Sequence, residues 1–219
     1  MDKQSALRAV LFDFDGTIIY LPTNYERIRY RLEKLFLIFD IYSDFRPLVE
    51  SIKCSLEELR CKESLKVVRQ VEKQVFSIIE KEELQAVENS RIAEGAKEVL
   101  SLLRTSNIAI AVVSRNGRNC IERCFSRFKL PEPDLIVARE DVKELKPHPK
   151  QFKFALKKLK ISPSQSIIIG DSYHDIDGGK KLGIKTILVS QCEDNELKQQ
   201  SQPEYKISSL FQLCTMIGI

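Results

Sequence analysis

Four short stretches of the sequence combine the residue types that metal and phosphate chemistry requires. They are DFDGT at 13–17, SRN at 114–116, KP at 146–147 and GDSYHD at 170–175. If the four aspartates in these stretches met in one cleft, they could not all stay ionised without a counter-charge. Carboxylate and carbonyl oxygens, together with waters, are the ligands that suit Mg²⁺. A nearby lysine and the free backbone amides at a helix start would suit a phosphate group.

Apolar runs predict that three of these stretches directly follow β-strands. The sequence predicts strands at 8–14, 108–113, 135–137, 166–169 and 185–189, and helices at 96–104, 120–128, 150–160, 176–182 and 207–216. Strands that alternate with helices form right-handed βαβ units and a parallel sheet with helices on both faces. Ligands of such sheets bind beyond the carboxyl ends of the strands, so the aspartate and serine stretches are expected to meet there.

A helical segment interrupts this alternation between the first and second strands. Residues 21–94 contain no comparable strand run, and apolar side chains recur in them at helical spacing, as at Leu32, Leu35 and Phe36. The sequence therefore predicts an α/β fold, with a Rossmann-like parallel-sheet core of residues 1–20 and 95–219. Residues 21–94 are predicted to form an inserted all-α domain.

Composition excludes several classes of protein. The chain has 219 residues, of which 43% are hydrophobic and 30% charged, which argues against a disordered or collagen-like chain. No apolar run approaches the length of a membrane helix, and no apolar signal region follows the N-terminus. The six cysteines form no CxxC pair and fit no zinc spacing. Reduced, mostly buried thiols in a cytoplasmic protein are therefore expected.

The four stretches carry a resemblance to a known family. VLFDFDGT at 10–17 resembles the first motif of the haloacid dehalogenase superfamily, and VVS at 112–114 is similar to its second. KP at 146–147 resembles the third motif, and the GDS that begins at Gly170 resembles the fourth, with the same order and spacing. The continuation DIDGG and the helical insert resemble the phosphoglycolate-phosphatase-like branch, which has a small helical cap.

The resemblance implies a phosphatase that hydrolyses a small phosphomonoester through an aspartyl-phosphate intermediate. Asp13 would be the nucleophile. Asp15 would protonate the leaving alcohol and then deprotonate the hydrolytic water. Ser114 would hydrogen-bond a phosphoryl oxygen, and Lys146 would stabilise Asp13 and the transferring group.

The resemblance also implies a magnesium site and further substrate contacts. Mg²⁺ would be held by the Asp13 side chain, the Asp15 carbonyl and Asp171, while Asp175 would orient Lys146 or a metal-bound water. The other residues expected at the substrate, besides those four catalytic residues, are Gly16, Arg115 and Asn116. Arg115 and Asn116 could instead serve only the helix start. The two histidines, His148 and His174, fit no required role and are expected in loops or at the rim.

Two other functions stay open, and several partners are excluded. A sugar phosphomutase of the same superfamily keeps both aspartates of the first motif and the cap, so the sequence excludes it poorly. A non-catalytic binding or regulatory protein on the same scaffold commonly loses motif residues, and none is lost here. The formal net charge is only +4 at pH 7, and no aromatic stacking motif suggests nucleic-acid binding. A monomer or homodimer that binds a small phosphorylated metabolite is expected, away from membranes.

Overall fold

The computed structural model describes residues 6–190 and 202–218. The chain divides into two compact units. The first unit is built from Met1–Leu21 and Ser90–Ile219, and the second is the intervening segment Pro22–Asn89. Each unit has its own buried apolar core, and they are described separately below.

In the described part of the chain, six parallel strands form one sheet and two more form a short antiparallel ribbon. The strands are β1 (Ala9–Phe12), β2 (Ile19–Tyr20), β3 (Arg91–Ile92), β4 (Ala109–Val113), β5 (Leu135–Val137), β6 (Ser166–Gly170), β7 (Lys185–Val189) and β8 (Tyr205–Ile207). The order across the sheet is β5-β4-β1-β6-β7-β8. This parallel sheet with alternating helices confirms the predicted α/β fold.

Eight α-helices connect or follow these strands among the described residues. They are α1 (Tyr25–Leu37), α2 (Leu48–Lys62), α3 (Leu65–Val87), α4 (Ala96–Thr105), α5 (Arg118–Phe128), α6 (Lys150–Leu159), α7 (Tyr173–Lys180) and α8 (Phe211–Ile217). Short 3-10 turns also occur at Arg139–Asp141 and Pro163–Gln165. None of these helices has the length and apolar composition that crossing a membrane requires.

The centre of the sheet is β1, because the chain runs outward from it in both directions. All four residues of β1 are buried, as expected for a parallel strand covered on both faces. One face packs against α6, which contributes Phe152, Ala155 and Leu156 to a cluster that includes Leu11 of β1. The strand order reverses at β1, and such a switch point is where open α/β sheets bind ligands.

The antiparallel ribbon lies where the chain leaves the first unit and returns to it. Tyr20 of β2 is opposite Arg91 of β3, so the residues from Ser90 onward belong to the first unit. The boundary therefore falls a few residues before the predicted one after residue 94. The prediction of no strand between 21 and 94 is wrong for β3, because a two-residue strand is too short to produce an apolar pattern.

Two helices begin three or more residues away from their predicted starts. The helix predicted at 176–182 begins earlier, because Tyr173 already starts α7 and the polar residues of its first turn give no apolar pattern. The helix predicted at 207–216 begins later, at Phe211, since Ile207 ends β8. β8 is a three-residue edge strand beside β7, and its YKI sequence is too short and polar to be recognised alone.

The second unit contains α1, α2 and α3 around an apolar core of its own. The core includes Ile28, Leu32 and Phe36 from α1, and the Phe36 ring lies 5.4 Å from that of Phe45. Side chains at the helix starts satisfy free amides: the Asn24 Oδ1 of α1, for example, accepts from the Arg27 N–H at 2.9 Å. The amphipathic spacing in the sequence thus corresponds to helices that bury one face.

The cysteines of the described residues are free thiols. Cys120, Cys124 and Cys214 are buried, but Cys54 and Cys61 are exposed on α2, so the expectation of mostly buried thiols holds only for the first unit. Cys192 lies outside the described residues.

Candidate active site

Three carboxylates and one ammonium meet at the carboxyl edge of the sheet. Phe12 at the end of β1 pairs with Ile169 of β6, so the residues that follow both strands emerge side by side. Oxygens of Asp13, Asp171 and Asp175 all lie within 4.8 Å of one another. Lys146 Nζ is 2.7 Å from Asp13 Oδ1 and 2.5 Å from Asp175 Oδ1. Four predicted residues from three separate stretches are therefore brought together.

Two glycines make this close approach possible. Gly170 lies against Asp175, and a Cβ at this glycine would be only 2.2 Å from the Asp175 Cγ. Gly16 has a left-handed backbone with φ of 85°, and its Cβ would be 2.0 Å from the Asp171 Oδ2. Any larger residue at either position would push a carboxylate out of the cluster. Asp175 is also held by the Ser172 hydroxyl, which donates to its Oδ2 at 2.9 Å.

The pKa values show that the cluster lacks positive charge. Burial would lower the pKa of Lys146, but the carboxylates of Asp13 and Asp175 outweigh it and the pKa is raised. Burial and repulsion from Asp13 and Asp175 raise the pKa of Asp171 to about 8. Burial and repulsion from Asp13 raise the pKa of Asp175 to about 6, against the opposing charge of Lys146. A hard divalent cation with oxygen ligands would balance this cluster, so its donor chemistry fits Mg²⁺.

The loop after β4 supplies the candidate phosphate-binding group. The Ser114 hydroxyl donates to Asn116 Oδ1 at 2.9 Å and accepts from the Asn116 N–H at 3.1 Å. Both residues are buried, and Gly117 precedes the first residue of α5. A hydroxyl and backbone amides thus stand at a helix start beside the end of β1, as the sequence predicts for a phosphate site.

Gln151 connects this loop to Lys146, and sequence reasoning missed it. Its side chain is completely buried in the first turn of α6. Its Oε1 accepts from the Lys146 N–H at 2.9 Å, and its Nε2 donates to the Ser114 carbonyl at 2.8 Å. The available signal was a glutamine directly before the apolar residues that α6 packs against the sheet. The loops of Lys146 and Ser114 are therefore fixed to each other through one amide group.

Replacing Gln151 by methionine is expected to lower the free energy of unfolding by at least about 2 kcal/mol. Methionine fills a similar volume but leaves the buried Lys146 N–H and Ser114 carbonyl unpaired, at about 1–3 kcal/mol for each such group. Denaturant unfolding measures the loss, and Gln74→Met on an exposed site of α3 is the matched control. Equal stability of the two variants would contradict the bridging role.

Arg139 is a second residue that the sequence did not reveal. It is buried in the 3-10 turn after β5, and its Nη1 donates to the Arg115 carbonyl at 3.2 Å. Its own N–H donates to the Asn116 carbonyl at 3.0 Å. An arginine in a polar stretch gives no pattern from which such a contact can be inferred. Arg139 therefore holds the backbone of the loop after β4 through the carbonyls of Arg115 and Asn116.

The Asp15 side chain does not join the three-carboxylate cluster. Its Oδ1 accepts from the Leu21 N–H at 2.9 Å, and its backbone forms a bridge to Ile19. The expected part of Asp15 in metal binding is therefore left to its carbonyl oxygen. The side chain is held in one orientation two residues from Asp13, as an acid/base group requires.

The two histidines have different surroundings. His148 is exposed, and its Nδ1 accepts from the Lys150 N–H, in agreement with a loop position. His174 is half-buried, stacks on Tyr173 at 4.0 Å and lies 2.6 Å from Arg115 Nη1 through its Nε2. Burial, with the charges of Arg115 and Lys146, lowers the pKa of His174 to about 3. The imidazole is therefore neutral at neutral pH.

The fold and the site define a haloacid dehalogenase-like hydrolase. The model of this family matches residues 10–189, most of the chain, and the match confirms the resemblance seen in the four motifs. The chain belongs to this family and is an enzyme of its hydrolase type.

Individual relatives agree with the family. The pyrophosphatase PpaX of Bacillus thuringiensis (strain Al Hakam) is 30% identical over 97% of this chain and 97% of its own length. This chain is also 31% identical to the pyrophosphatase PpaX of Halalkalibacterium halodurans. That match spans 128 residues, which are 58% of this chain and 60% of the relative. The β-phosphoglucomutase of Clostridium difficile shares the fold, with a TM-score of 0.69 and 23% identity over 94% of this chain and 93% of that one.

Proposed function

We propose that this protein is a Mg²⁺-dependent phosphatase that hydrolyses a small phosphorylated metabolite through an aspartyl-phosphate at Asp13. The observation that carries the proposal is the Asp13 carboxylate, set against Lys146 and two further carboxylates at the switch point of the sheet. The relatives named pyrophosphatase PpaX support phosphoryl hydrolysis as the reaction type. A cytoplasmic location is part of the same proposal.

Asp13 presents one oxygen for attack. Its Oδ1 accepts from Lys146 Nζ at 2.7 Å and from the Phe14 N–H at 2.6 Å. Among the residues that the structure describes, no hydrogen bond is donated to its Oδ2. Oδ2 therefore forms the new bond to phosphorus while the bond from phosphorus to the leaving oxygen breaks.

Asp15 moves the protons of both steps. Its carboxyl group first gives a proton to the leaving oxygen, and the resulting carboxylate then takes one from the attacking water. The water oxygen bonds to phosphorus as the bond to Asp13 breaks, which releases phosphate and restores both aspartates. The hydrogen bond from Leu21 N–H keeps the carboxyl group oriented through both steps.

Backbone and side-chain donors hold the phosphoryl oxygens. The Ser114 hydroxyl, which now donates to Asn116, would donate to a phosphoryl oxygen in the bound state. Lys146 adds a buried positive charge, and Asp175 holds it in place at 2.5 Å. Gly16 allows the Asp171 carboxylate to lie against the backbone next to the nucleophile, because it lacks a side chain. Developing negative charge thus meets donors that need no rearrangement of the backbone.

Asp13, Asp171 and the Asp15 carbonyl are the groups proposed to hold Mg²⁺. When bound, the ion would supply positive charge that offsets the repulsion between the carboxylates and attracts the anionic phosphoryl group. Asp175 makes its close contact with Lys146, so its proposed role is to position that lysine.

Mg²⁺ is expected to stabilise the protein more at high pH. With no cation, the pKa of Asp171 is about 8, far above its ordinary value, so the metal-free fold loses stability as pH rises from about 4 to about 8. Mg²⁺ replaces the proton, so its shift of the thermal midpoint should be larger at about pH 8.5 than at about pH 6. Asp171→Asn should remove the shift, while Asp177→Asn should keep it. A shift that is independent of pH would contradict this coupling.

Hydrolysis of 4-nitrophenyl phosphate, with Mg²⁺ and with a chelator, tests the proposed function. Release of phosphate that requires Mg²⁺ is the expected result. Transfer of the phosphoryl group only to a sugar phosphate, with none to water, would indicate a phosphomutase instead. No reaction with any phosphoester, in a protein that still binds Mg²⁺, would indicate a binding protein and overturn the proposal.

A further inference from the structure

The Arg115 side chain bridges two loops of the candidate active site. Arg115 follows Ser114 at the end of β4, whereas its guanidinium contacts His174 in the first turn of α7, after β6. Because β1 lies between β4 and β6, this bridge passes the carboxyl end of the strand that carries Asp13. The guanidinium therefore joins the two loops that flank the carboxyl end of β1.

The guanidinium keeps most of its donors available. Among the described residues, the guanidinium donates a hydrogen bond from Nη1 to His174 Nε2, and no carboxylate pairs with it. The group carries five N–H donors in a planar fork that matches phosphate and carboxylate oxygens. A half-buried guanidinium that has no carboxylate partner among the described residues is suited to an anion that arrives from outside.

His174 fixes where this charge points. An arginine N–H can donate only to an unprotonated ring nitrogen, so Nε2 is the acceptor and the imidazole is neutral. Tyr173 stacks on the same ring at 4.0 Å and limits its rotation. Arg139 fixes the other end of the arginine, since it donates to the Arg115 carbonyl. The arginine is thus held at its backbone and at its tip before any substrate binds.

We propose that Arg115, positioned by His174, binds a second anionic group of the substrate, next to the phosphoryl group that is transferred. The preferred substrates then carry a phosphate or a carboxylate close to the reacting phosphorus. This inference rests on the proposed phosphatase function. It assigns the transferred group to Ser114 and Lys146, and the remaining charge of the substrate to Arg115.

Three substrates distinguish the anion-binding role of Arg115 from the proposed phosphatase function. Inorganic pyrophosphate carries a second phosphate, phosphoglycolate carries a carboxylate, and ethyl phosphate carries neither. Arg115→Gln should lower kcat/KM for at least one of the first two by about tenfold more than for ethyl phosphate, the size expected for a charge-assisted hydrogen bond. The substrate that loses more identifies whether the second group is a phosphate or a carboxylate.

The controls decide what a negative result means. Arg123→Gln removes the same charge from an exposed position of α5 and should leave all three rates unchanged. Equal losses for the three substrates in Arg115→Gln would place the arginine on the transferred phosphoryl group and overturn the inference alone. A wild-type protein that hydrolyses none of the three, nor an aryl phosphate, would overturn the proposed function itself.

His174 is tested by the same substrate preference. His174→Phe keeps a ring that can stack on Tyr173 but removes the acceptor, so the preference should fall by about threefold to tenfold. His174→Gln offers a new acceptor and should recover part of the preference. A purely structural role would change all rates together, and an unchanged preference in His174→Phe would overturn the positioning role.

Inhibitor binding tests the same role of Arg115 without turnover of substrates that carry a second anionic group. Methylenebisphosphonate carries two phosphonate groups and methylphosphonate carries one. The wild-type protein should bind the first more tightly, and Arg115→Gln should lose about tenfold of that difference. An unchanged difference between the two inhibitors in a folded Arg115→Gln variant would contradict the proposal.

Discussion

Replacing Asp13 by asparagine is expected to lower kcat by at least about 10⁴-fold, because a neutral amide cannot replace the carboxylate as nucleophile. The substitution keeps the shape of the side chain, so Phe14 N–H can still donate to the oxygen that it contacts now. It also removes one of three mutually repelling carboxylates and leaves Asp175 to pair with Lys146. The fold is therefore expected to be retained, and the loss should be confined to chemistry.

Two measurements distinguish a loss of catalysis in Asp13→Asn from a loss of folding. The thermal midpoint of Asp13→Asn should lie at or above that of the wild type, while hydrolysis of 4-nitrophenyl phosphate disappears. Asp40→Asn is the matched control, since Asp40 is exposed and its left-handed backbone accommodates asparagine. Activity of Asp13→Asn within tenfold of wild type would refute the assignment of the nucleophile.

Replacing Lys146 by methionine is expected to remove activity and also to lower the free energy of unfolding by about 3 kcal/mol. Lys146 is 2% exposed and lies between Asp13 and Asp175, so its loss leaves buried like charges without compensation. Protonation of Asp175, whose pKa is already raised to about 6, relieves the repulsion. The loss measured by denaturant unfolding should therefore be smaller at about pH 5 than at about pH 8.

A double variant separates the two effects of Lys146. Lys146→Met combined with Asp175→Asn removes one charge of each sign and should recover most of the stability, but it should not recover activity. Lys153→Met, on an exposed position of α6, is the control for the substitution itself. Recovery of activity in the double variant would show that the lysine is needed only to neutralise Asp175.

The sequence predicts the reactive residues better than the residues that position them. Asp13, Asp171 and Asp175 stand at the ends of buried strands or in the following turn, so the parallel topology alone places them at one edge. Lys146 follows no strand, and only the resemblance to the family indicated its position. For the three aspartates the type, the spacing and the strand order all point to one site.

Other features depend on contacts that no local pattern encodes. Gln151 and Arg139 act by hydrogen bonds to loops that lie far from them in the sequence. His174 faces Arg115 across 59 positions, and neither neighbour in sequence suggests this pairing. β3 has two residues, both paired with β2, and these are too few for a recognisable alternation. The periodicity of a sequence therefore does not reveal polar side chains that hydrogen-bond to residues far away in the chain.

The most direct test of the account is to trap the phosphoryl group on the enzyme. Asp15→Asn keeps an oxygen for the Leu21 N–H but cannot take a proton from water, so breakdown of the intermediate should slow by about 10²–10⁴-fold. 4-Nitrophenyl phosphate has a good leaving group that needs no proton, so the first step should still proceed. After acid quenching, mass spectrometry should find one phosphoryl group on the peptide that contains Asp13. A phosphoryl group on another residue, or turnover at the wild-type rate with none trapped, would contradict the central claim.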